Sequence, residues 1–475
     1  MKYIIVIIAC TLSFKTNAQR GALDKTFGTE GIVISKTFNA GCEATAIQAD
    51  GKIIAAGAGG YNGVGGFFLA RYNTDGTLDS NFGDKGRVIT DFIETGSSRI
   101  ESVAALPNGK ILAAGFFAPS SLVDIVLLQY NANGNLDSSF GENGIVITDI
   151  AKYDYIYDMA IQPDGKIIVA GDRRKSDNDN KTSFTVRYMP DGNLDESFGD
   201  NGIALTSYNA SIDITTVALQ TDGKIVLGGI YHSGEDEFML VRYQSNGVLD
   251  STFDGNGIAT LRFKDGLSEY AELFDIAVQP DGKILATGDN NDGNKIVVAR
   301  FKSNGEADEE FGTVDGYTSP FFENGTSYGS TVLIQQDGKI LIAGTHYNQV
   351  EGFYTLIRLK NDGTRDSTFG DNGITLTSFN NIGYITCGAA AIQPDGKVVL
   401  VGTLEQDIAP YYYFLLTRYN NDGGIVPPPE FAKIQKWQGH YGFTWNSWPG
   451  NKTTYYSVGR STNASSFTEI AQVTD

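Results

Sequence analysis

Few residues of this 475-residue chain combine the type and spacing that catalysis needs. The three histidines, His232, His346 and His440, lie far apart in sequence. No His-x-x-x-His, paired-cysteine or Gly-x-Ser-x-Gly pattern accompanies them, so neither a zinc site nor a nucleophilic triad is expected. They read as surface histidines. The glycine-rich stretch 57–66 opens no helix and therefore does not cradle a phosphate. The turn Asn73-Thr74-Asp75-Gly76-Thr77-Leu78-Asp79 superficially resembles a calcium loop, but it lacks the bidentate Glu. Asp and Asn also close turns by bonding their own backbone. Structural turns are the preferred reading and calcium the alternative; no cofactor or catalytic residue is assigned.

Two other patterns have a chemical meaning. An Arg recurs with an Asp eight residues later, as in Arg71 and Asp79, Arg187 and Asp195, and Arg242 and Asp250. An Arg alternating with apolar residues needs a carboxylate or carbonyl partner. Structural ion pairs are expected, although Gln129 at the same place shows that the charge itself is dispensable. Cys42 and Cys387 each lie eight residues before the Asp of an Asp-Gly-Lys turn. A disulfide between them is expected if those strands adjoin, with a buried thiol pair as the alternative.

The elements that position these residues come from internal repetition. The Asp/Asn-Gly-Lys turn begins at Asp50, Asn108, Asp164, Asp222, Asp281, Asp337 and Asp395, with spacings of 56 to 59 residues. Arg-Tyr-x-x-Asp-Gly and Leu-Asp-x-x-Phe-Gly-x-x-Gly follow in fixed register, also seven times, with local departures at Ala307 and Arg365. Each unit reads as four strands, A to D. Strand B is apolar throughout (KIIVAG, KILIAG, KVVLVG), as in a strand buried on both faces. The fold class is therefore all-β: a seven-bladed β-propeller of four-stranded blades. The chain opens with the end of a unit, Leu23 onward and the strand at 32–35, and the last unit stops after Asp422-Gly423 without a strand D. The N-terminal strand is thus predicted to close the last blade and remove its exposed edge.

Composition agrees with this reading and excludes some partners. The 57 Gly, 24 Tyr and 27 Phe suit turns and strands. A net charge of −20 argues against a nucleic-acid footprint and against an anionic membrane surface. Residues 1–18 have a short basic start, an apolar run of 12 and a small-residue end, which predicts a signal peptide and export. A lipoprotein through Cys10 is the lesser alternative. No later run is long enough for membrane insertion.

The text AIQPDGKIIVAG…RYNxDGxLDxxFGxxGI resembles the delta-60 repeat family of exported bacterial proteins over residues 19–424. The resemblance implies a propeller and export, and no established reaction or ligand. The unit is also similar to NHL-type blades, which places strand A innermost. After a Pro-rich linker at 425–430, residues 431–475 resemble an incomplete fibronectin or immunoglobulin-like module of the kind that follows propellers in secreted Bacteroidota proteins. A complete module needs about 100 residues, so the chain is expected to stop within it. Sorting signals for type IX secretion would lie further on.

Function is expected on the variable face of the ring, where the B–C and D–A loops meet. Its candidates are Tyr153, Tyr155, Tyr231, His232, Glu235, Asp236, His346 and Tyr347, together with the loops at 173–181 and 290–295. The reading is an exported, secreted or surface-held binding or scaffold module for an extracellular protein or glycan. The alternative is a propeller enzyme acting on polysaccharide through carboxylates near the axis; near-uniform blades show no converging acidic cluster.

Overall fold

The structure is a computed structural model. It describes residues 20–421 except 37–38, 62–63, 92–96, 119–120, 178–180, 207–210, 264–270, 291–294, 314, 321–324, 380–382 and 407–410, and strands at Phe431–Trp437, His440–Trp445, Tyr456–Asn463 and Ser466–Val473. The signal peptide expected at 1–18 lies outside the described residues, as does the linker at 425–430. Residues 1–423 and 424–475 separate into two units. The second contains two antiparallel strand pairs.

The first unit is a ring of seven four-stranded antiparallel sheets. Blade 3 shows the pattern with strand A at Tyr153–Ile161, B at Ile167–Arg174, C at Thr182–Tyr188 and D at Ile203–Thr206. Strand B is buried along its first six residues because the neighbouring blades cover both of its faces. The A–B hairpin closes at Gly165, whose φ of 85° only glycine adopts readily. Asp164 Oδ1 accepts the Lys166 amide at 3.1 Å across the same turn.

Blade 7 is completed by the N-terminus. Strand Ile32–Ser35 runs antiparallel to Tyr412–Tyr419, with Ile32 opposite Thr417 and Ser35 opposite Phe414. The outer strand of blade 5 shrinks to Tyr317–Thr318, in the unit where Ala307 departs from the repeat. Neighbouring blades share apolar cores, such as Phe68, Tyr72, Val399 and Phe414 between blades 1 and 7. Tyrosine hydroxyls stitch the same seams: Tyr72 to Ser35 at 2.6 Å and Tyr130 to Thr90 at 2.7 Å.

One cluster repeats on the turn face of the ring. Arg Nε donates to Asp Oδ2 in Arg71–Asp79 at 2.9 Å, Arg187–Asp195 at 2.7 Å and Arg242–Asp250 at 2.9 Å. Arg300–Asp308, Arg358–Asp366 and Arg418–Asp24 repeat the pair. The Lys of the A–B turn joins the same carboxylate, as Lys52 does Asp79 at 3.2 Å. A Phe ring lies under each guanidinium, with Arg242 4.4 Å from the Phe253 centroid. The other end of the Arg reaches the next blade: Arg71 Nη1 donates to the Ala132 carbonyl and Arg242 Nη1 to that of Ser303. In blade 2, where Gln129 replaces Arg, Lys110 alone pairs with Asp137.

Cys42 and Cys387 are free, buried thiols and do not form the expected disulfide. Their equivalent positions explain this. Cys387 packs into the core between blades 6 and 7, with Leu341 and Tyr354. Cys42 packs into the core between blades 7 and 1, with Val399 and Phe414. Residues related by the rotation of a ring point the same way round it, so they do not face each other. Burial raises both thiols above the usual cysteine range.

The shared Asp should matter more than its Arg. Asp250→Ala leaves the buried Arg242 without its carboxylate, removes the second of the two that Lys224 meets, and should cost on the order of 3–5 kcal/mol. Arg242→Gln, the residue that blade 2 uses, should cost clearly less; denaturant unfolding ranks the two, and the reverse order contradicts this account. Acid should act on the same groups. Burial opposes ionisation of Asp24, but the Thr26 hydroxyl and amide, Lys397 and Arg418 outweigh it and hold the carboxyl at about 2, below the usual aspartate range. This stabilisation is complete above about pH 4 and is lost as pH falls toward 2. The melting temperature should drop across that window, and Asp24→Asn should flatten the drop.

Candidate functional site

The innermost strand of every blade carries a β-bulge at one level. Its register shifts between Cys42 and Ala44, Ile100 and Ser102, Ile156 and Asp158, Ile214 and Thr216, Leu273 and Asp275, Gly329 and Thr331, and Cys387 and Ala389. The bulge turns one extra residue per blade toward the axis. It also explains the glycine ending each KIIVAG-like strand: a Cβ on Gly171 would overlap the Tyr155 carbonyl. The bulge residues Glu43, Glu101, Tyr157, Thr215, Phe274 and Ser330 line a central cavity of about 220 Å³.

This level holds the acidic residues that the repeat alignment passes over. Ser102 Oγ donates to Asp158 Oδ1 at 2.9 Å, and the Val217 amide to Asp158 Oδ2 at 2.9 Å. Asp275 accepts the Ile276 amide at 2.9 Å and the Val332 amide at 2.8 Å. Thr216 Oγ1 lies between the two, 3.2 Å from Asp158 and 3.3 Å from Asp275. Desolvation raises Asp158. Desolvation, and with it the charge of Asp158, pushes Asp275 up to about 7. Each carboxylate thus receives main-chain donors from the next blade, so the pair clasps blades 2 to 6 around the axis. Near the same wall, Arg99 pairs with Glu101 at 2.6 Å.

The sequence left these residues out because the bulge breaks the two-residue period of strand A. Their signal was the pair of columns six and seven residues before the turn Asp. Those columns vary (Glu43-Ala44, Tyr157-Asp158, Phe274-Asp275) while the positions on either side stay apolar or small.

The loop-face candidates fall into two groups. His232 ends strand Ile225–His232, with Nδ1 2.6 Å from Asp236 and Nε2 3.5 Å from Asp213. Beside it Tyr231 and Asp236 are half-buried, and Glu235 pairs with Arg262. Tyr153 donates its hydroxyl to Asp177, and Lys152 stands over its ring at 4.7 Å. Tyr155 packs edge-on against Phe116. Tyr153 and Tyr155 belong to strand A and not to the preceding loop, since that strand starts at Tyr153, ahead of its apolar pattern.

His346 corrects the surface reading: it is 4% exposed, within strand Ile340–Tyr347, and hydrogen-bonds Ser327 Oγ through Nδ1 at 2.8 Å. Burial lowers its pKa. Tyr347 donates to the Ile385 carbonyl of the next blade and stacks on Tyr384 at 4.8 Å. His346 is thus held within blade 6, and Tyr347 at the seam with blade 7.

The exposed tyrosines are elsewhere. Among the described residues they are Tyr384 at 53%, Tyr411 at 48% and Tyr412 at 40%. Tyr384 and Tyr412 are both opposite Glu405, on strands A and C, so all three residues share one row at the loop end of blade 7. The Asn39 side chain accepts the Tyr412 amide at 2.9 Å. The turn Asp75, by contrast, has one oxygen committed to the amide and hydroxyl of Thr77, at 2.9 and 2.6 Å, and Asp79 is held by Arg71 and Lys52.

By structure, the chain is similar to Drosophila Semaphorin 2a, at 7% identity and a TM-score of 0.46, covering 85% of this chain and 76% of that one. It is also similar to the polysaccharide lyase Uly1, at 12% and 0.44, covering 80% and 90%. Sqt1 from Chaetomium thermophilum follows at 11% and 0.40, covering 78% and 83%. No curated protein sequence matches the chain. The family described as "Domain of unknown function (DUF5122) beta-propeller" matches residues 48–82, 106–140, 162–198, 220–253, 279–311, 335–369 and 393–424, one segment in each blade and together half of the chain. The protein belongs to this DUF5122 β-propeller family.

Proposed function

We propose that this protein is an exported binding or scaffold module that takes an extracellular protein or glycan on the loop face of its ring, without transforming it. The observation that carries the proposal is the asymmetry of the two faces. The turn face spends its charged groups on the Arg–Asp–Lys clusters. The loop face presents the exposed row Tyr384, Glu405 and Tyr412, with Tyr411 and the stacked Tyr347 beside it. Exposed aromatic faces next to carboxylate and amide groups stack on sugar rings or receive an apolar protein loop.

A propeller enzyme acting on polysaccharide is the competing reading, and Asp158 with Asp275 is the feature that favours it. Two nearby carboxyls with raised pKa are what an acid and a base would need. Their oxygens, however, are occupied by amides and hydroxyls of neighbouring blades, which suits a clasp better than proton transfer.

One measurement separates the readings. On a glycan array, and on immobilised extracellular-matrix protein, the purified chain should bind a restricted set. The double variant Tyr384→Ala, Tyr412→Ala should lose that binding by about tenfold or more with its melting temperature unchanged. Retained binding in that variant, or depolymerisation of a polysaccharide that Asp275→Asn abolishes, would overturn the proposal.

Stability against pH tests Asp275 itself. The fold favours the protonated form of Asp275, so that contribution is complete below about pH 4 and is lost as pH rises through about 7. Asp275→Asn should therefore reduce the decline in stability between pH 5 and 8. An unchanged slope contradicts the raised pKa of Asp275.

A further inference from the structure

The loop face carries a second acidic feature, distinct from the axial pair. Asp124 begins strand Asp124–Tyr130 of blade 2, Asp149 follows strand Ile145–Thr148 of the same blade, and Asp154 lies in strand A of blade 3. One carboxylate oxygen from each lies within 4.8 Å of the others. We propose that these three residues form a binding site for a hard divalent cation of the calcium class.

The argument begins with Asp154. Its side chain is completely buried. Oδ2 accepts the Ile150 amide at 2.7 Å and the Ala151 amide at 2.9 Å. Oδ1 is buried and has no hydrogen-bond partner. A buried carboxylate oxygen left in this way is costly, and it is rare unless a ligand completes it. The group is also surrounded by its own sign. Burial, and then the charges of Asp149 and Asp124, push Asp154 up to about 6, although the two amides pull against them. Asp124 is raised by burial and by Asp149. Among the described residues none of the three carboxylates pairs with a Lys or Arg. The nearest candidate in sequence, Lys152, is engaged with Asp177 at 2.9 Å.

The frame around the cluster is already built. Val123 of blade 2 bridges to Tyr153 of blade 3, with the Val123 amide on the Lys152 carbonyl at 3.1 Å and the Asp154 amide on the Val123 carbonyl at 2.8 Å. These bonds fix the short loop that brings Asp149 over Asp154. Carboxylates alone, with no imidazole or thiolate among them, select hard cations over zinc or copper. Three separate segments that allow mixed mono- and bidentate contacts, with water or carbonyls filling the rest, suit calcium's larger and less regular shell better than magnesium's strict octahedron. With one exposed member, Asp149, the site has the open character of extracellular modules, whose dissociation constants are on the order of 10⁻⁴ M. A bound cation would tie blade 2 to blade 3 beside Tyr153.

The test is thermal unfolding and calorimetric titration of the whole chain, first stripped with EDTA and then given millimolar calcium, magnesium or zinc. Calcium should raise the melting temperature by a few degrees and give a saturable heat of binding, with magnesium weaker. Asp149→Asn, at an exposed position, should match the stripped wild type in stability and bind calcium about tenfold or more weakly. Three results would overturn the proposal: no heat and no shift in the wild type, an equal response in Asp149→Asn, or a preference for zinc. Asp124→Asn serves as the second variant; calcium binding that survives both substitutions places the ion elsewhere and also contradicts it.

Discussion

The ring depends on one buried carboxylate repeated in seven blades: Asp24, Asp79, Asp137, Asp195, Asp250, Asp308 and Asp366. Six of them, all but Asp308, receive the amide of their own turn two residues on, as Asp195 does from Ser197 at 3.1 Å. Six pair with an Arg of strand C, and the Lys of the A–B turn closes on the same group. One anion thereby joins two motifs that lie about 25 residues apart, and its Arg continues to a carbonyl in the next blade. A buried guanidinium is tolerated only when its donors are satisfied. Here they are shared among a carboxylate, a carbonyl and an aromatic face, so the ion pair serves as a joint between blades. That is why three sequence motifs keep one register through the whole ring.

This joint divides the electrostatics of the molecule. On the turn face, carboxylates meet cations and are held low; Asp195 lies below the usual range despite its burial. Around the axis and toward the loop face, several buried carboxylates lack that company and are held high. Burial and Asp213 push Asp172 up to about 8, and burial and Glu272 push Asp289 up to about 7. Asp172 still does structural work, since its Oδ1 accepts the Ile214 amide of the next blade at 3.2 Å. Thr345 and Thr403 occupy its place in blades 6 and 7, accepting the amides of Cys387 and Cys42 at 2.8 Å. The same seam is closed by a neutral hydroxyl in two blades and by an acid in another. The loop half therefore has freedom in residue type that the turn half lacks, and this freedom is what a binding surface draws on.

The architecture was legible in the sequence because the joint needs fixed residue types at fixed spacing. The blade count, the closing strand and the Arg–Asp spacing all derive from that one requirement. Features that depend on orientation were not legible. The relation of Cys42 to Cys387 is a statement about which way round a ring two side chains point, and repeat position alone does not give it. His346 looked like a loop residue because strand B continues beyond its apolar core to Tyr347. The axial acids were hidden by the bulge, which shifts the inward-facing residue by one. Tyr384 and Tyr412 are separated by 28 positions and share a row only through Glu405.

If the turn-face carboxylate is the joint on which the ring depends, it should be visible in site-resolved amide hydrogen exchange at neutral pH and at about pH 2. At neutral pH the amides of Asp79, Asp137, Asp195, Asp250, Asp308 and Asp366, each bonded to the carbonyl of the strand C Arg or Gln, should exchange only through global unfolding. At the lower pH they should lose protection together, and before the strand B amides do. Strand B amides that open first, or turn-face amides that exchange by local opening at neutral pH, would contradict the account.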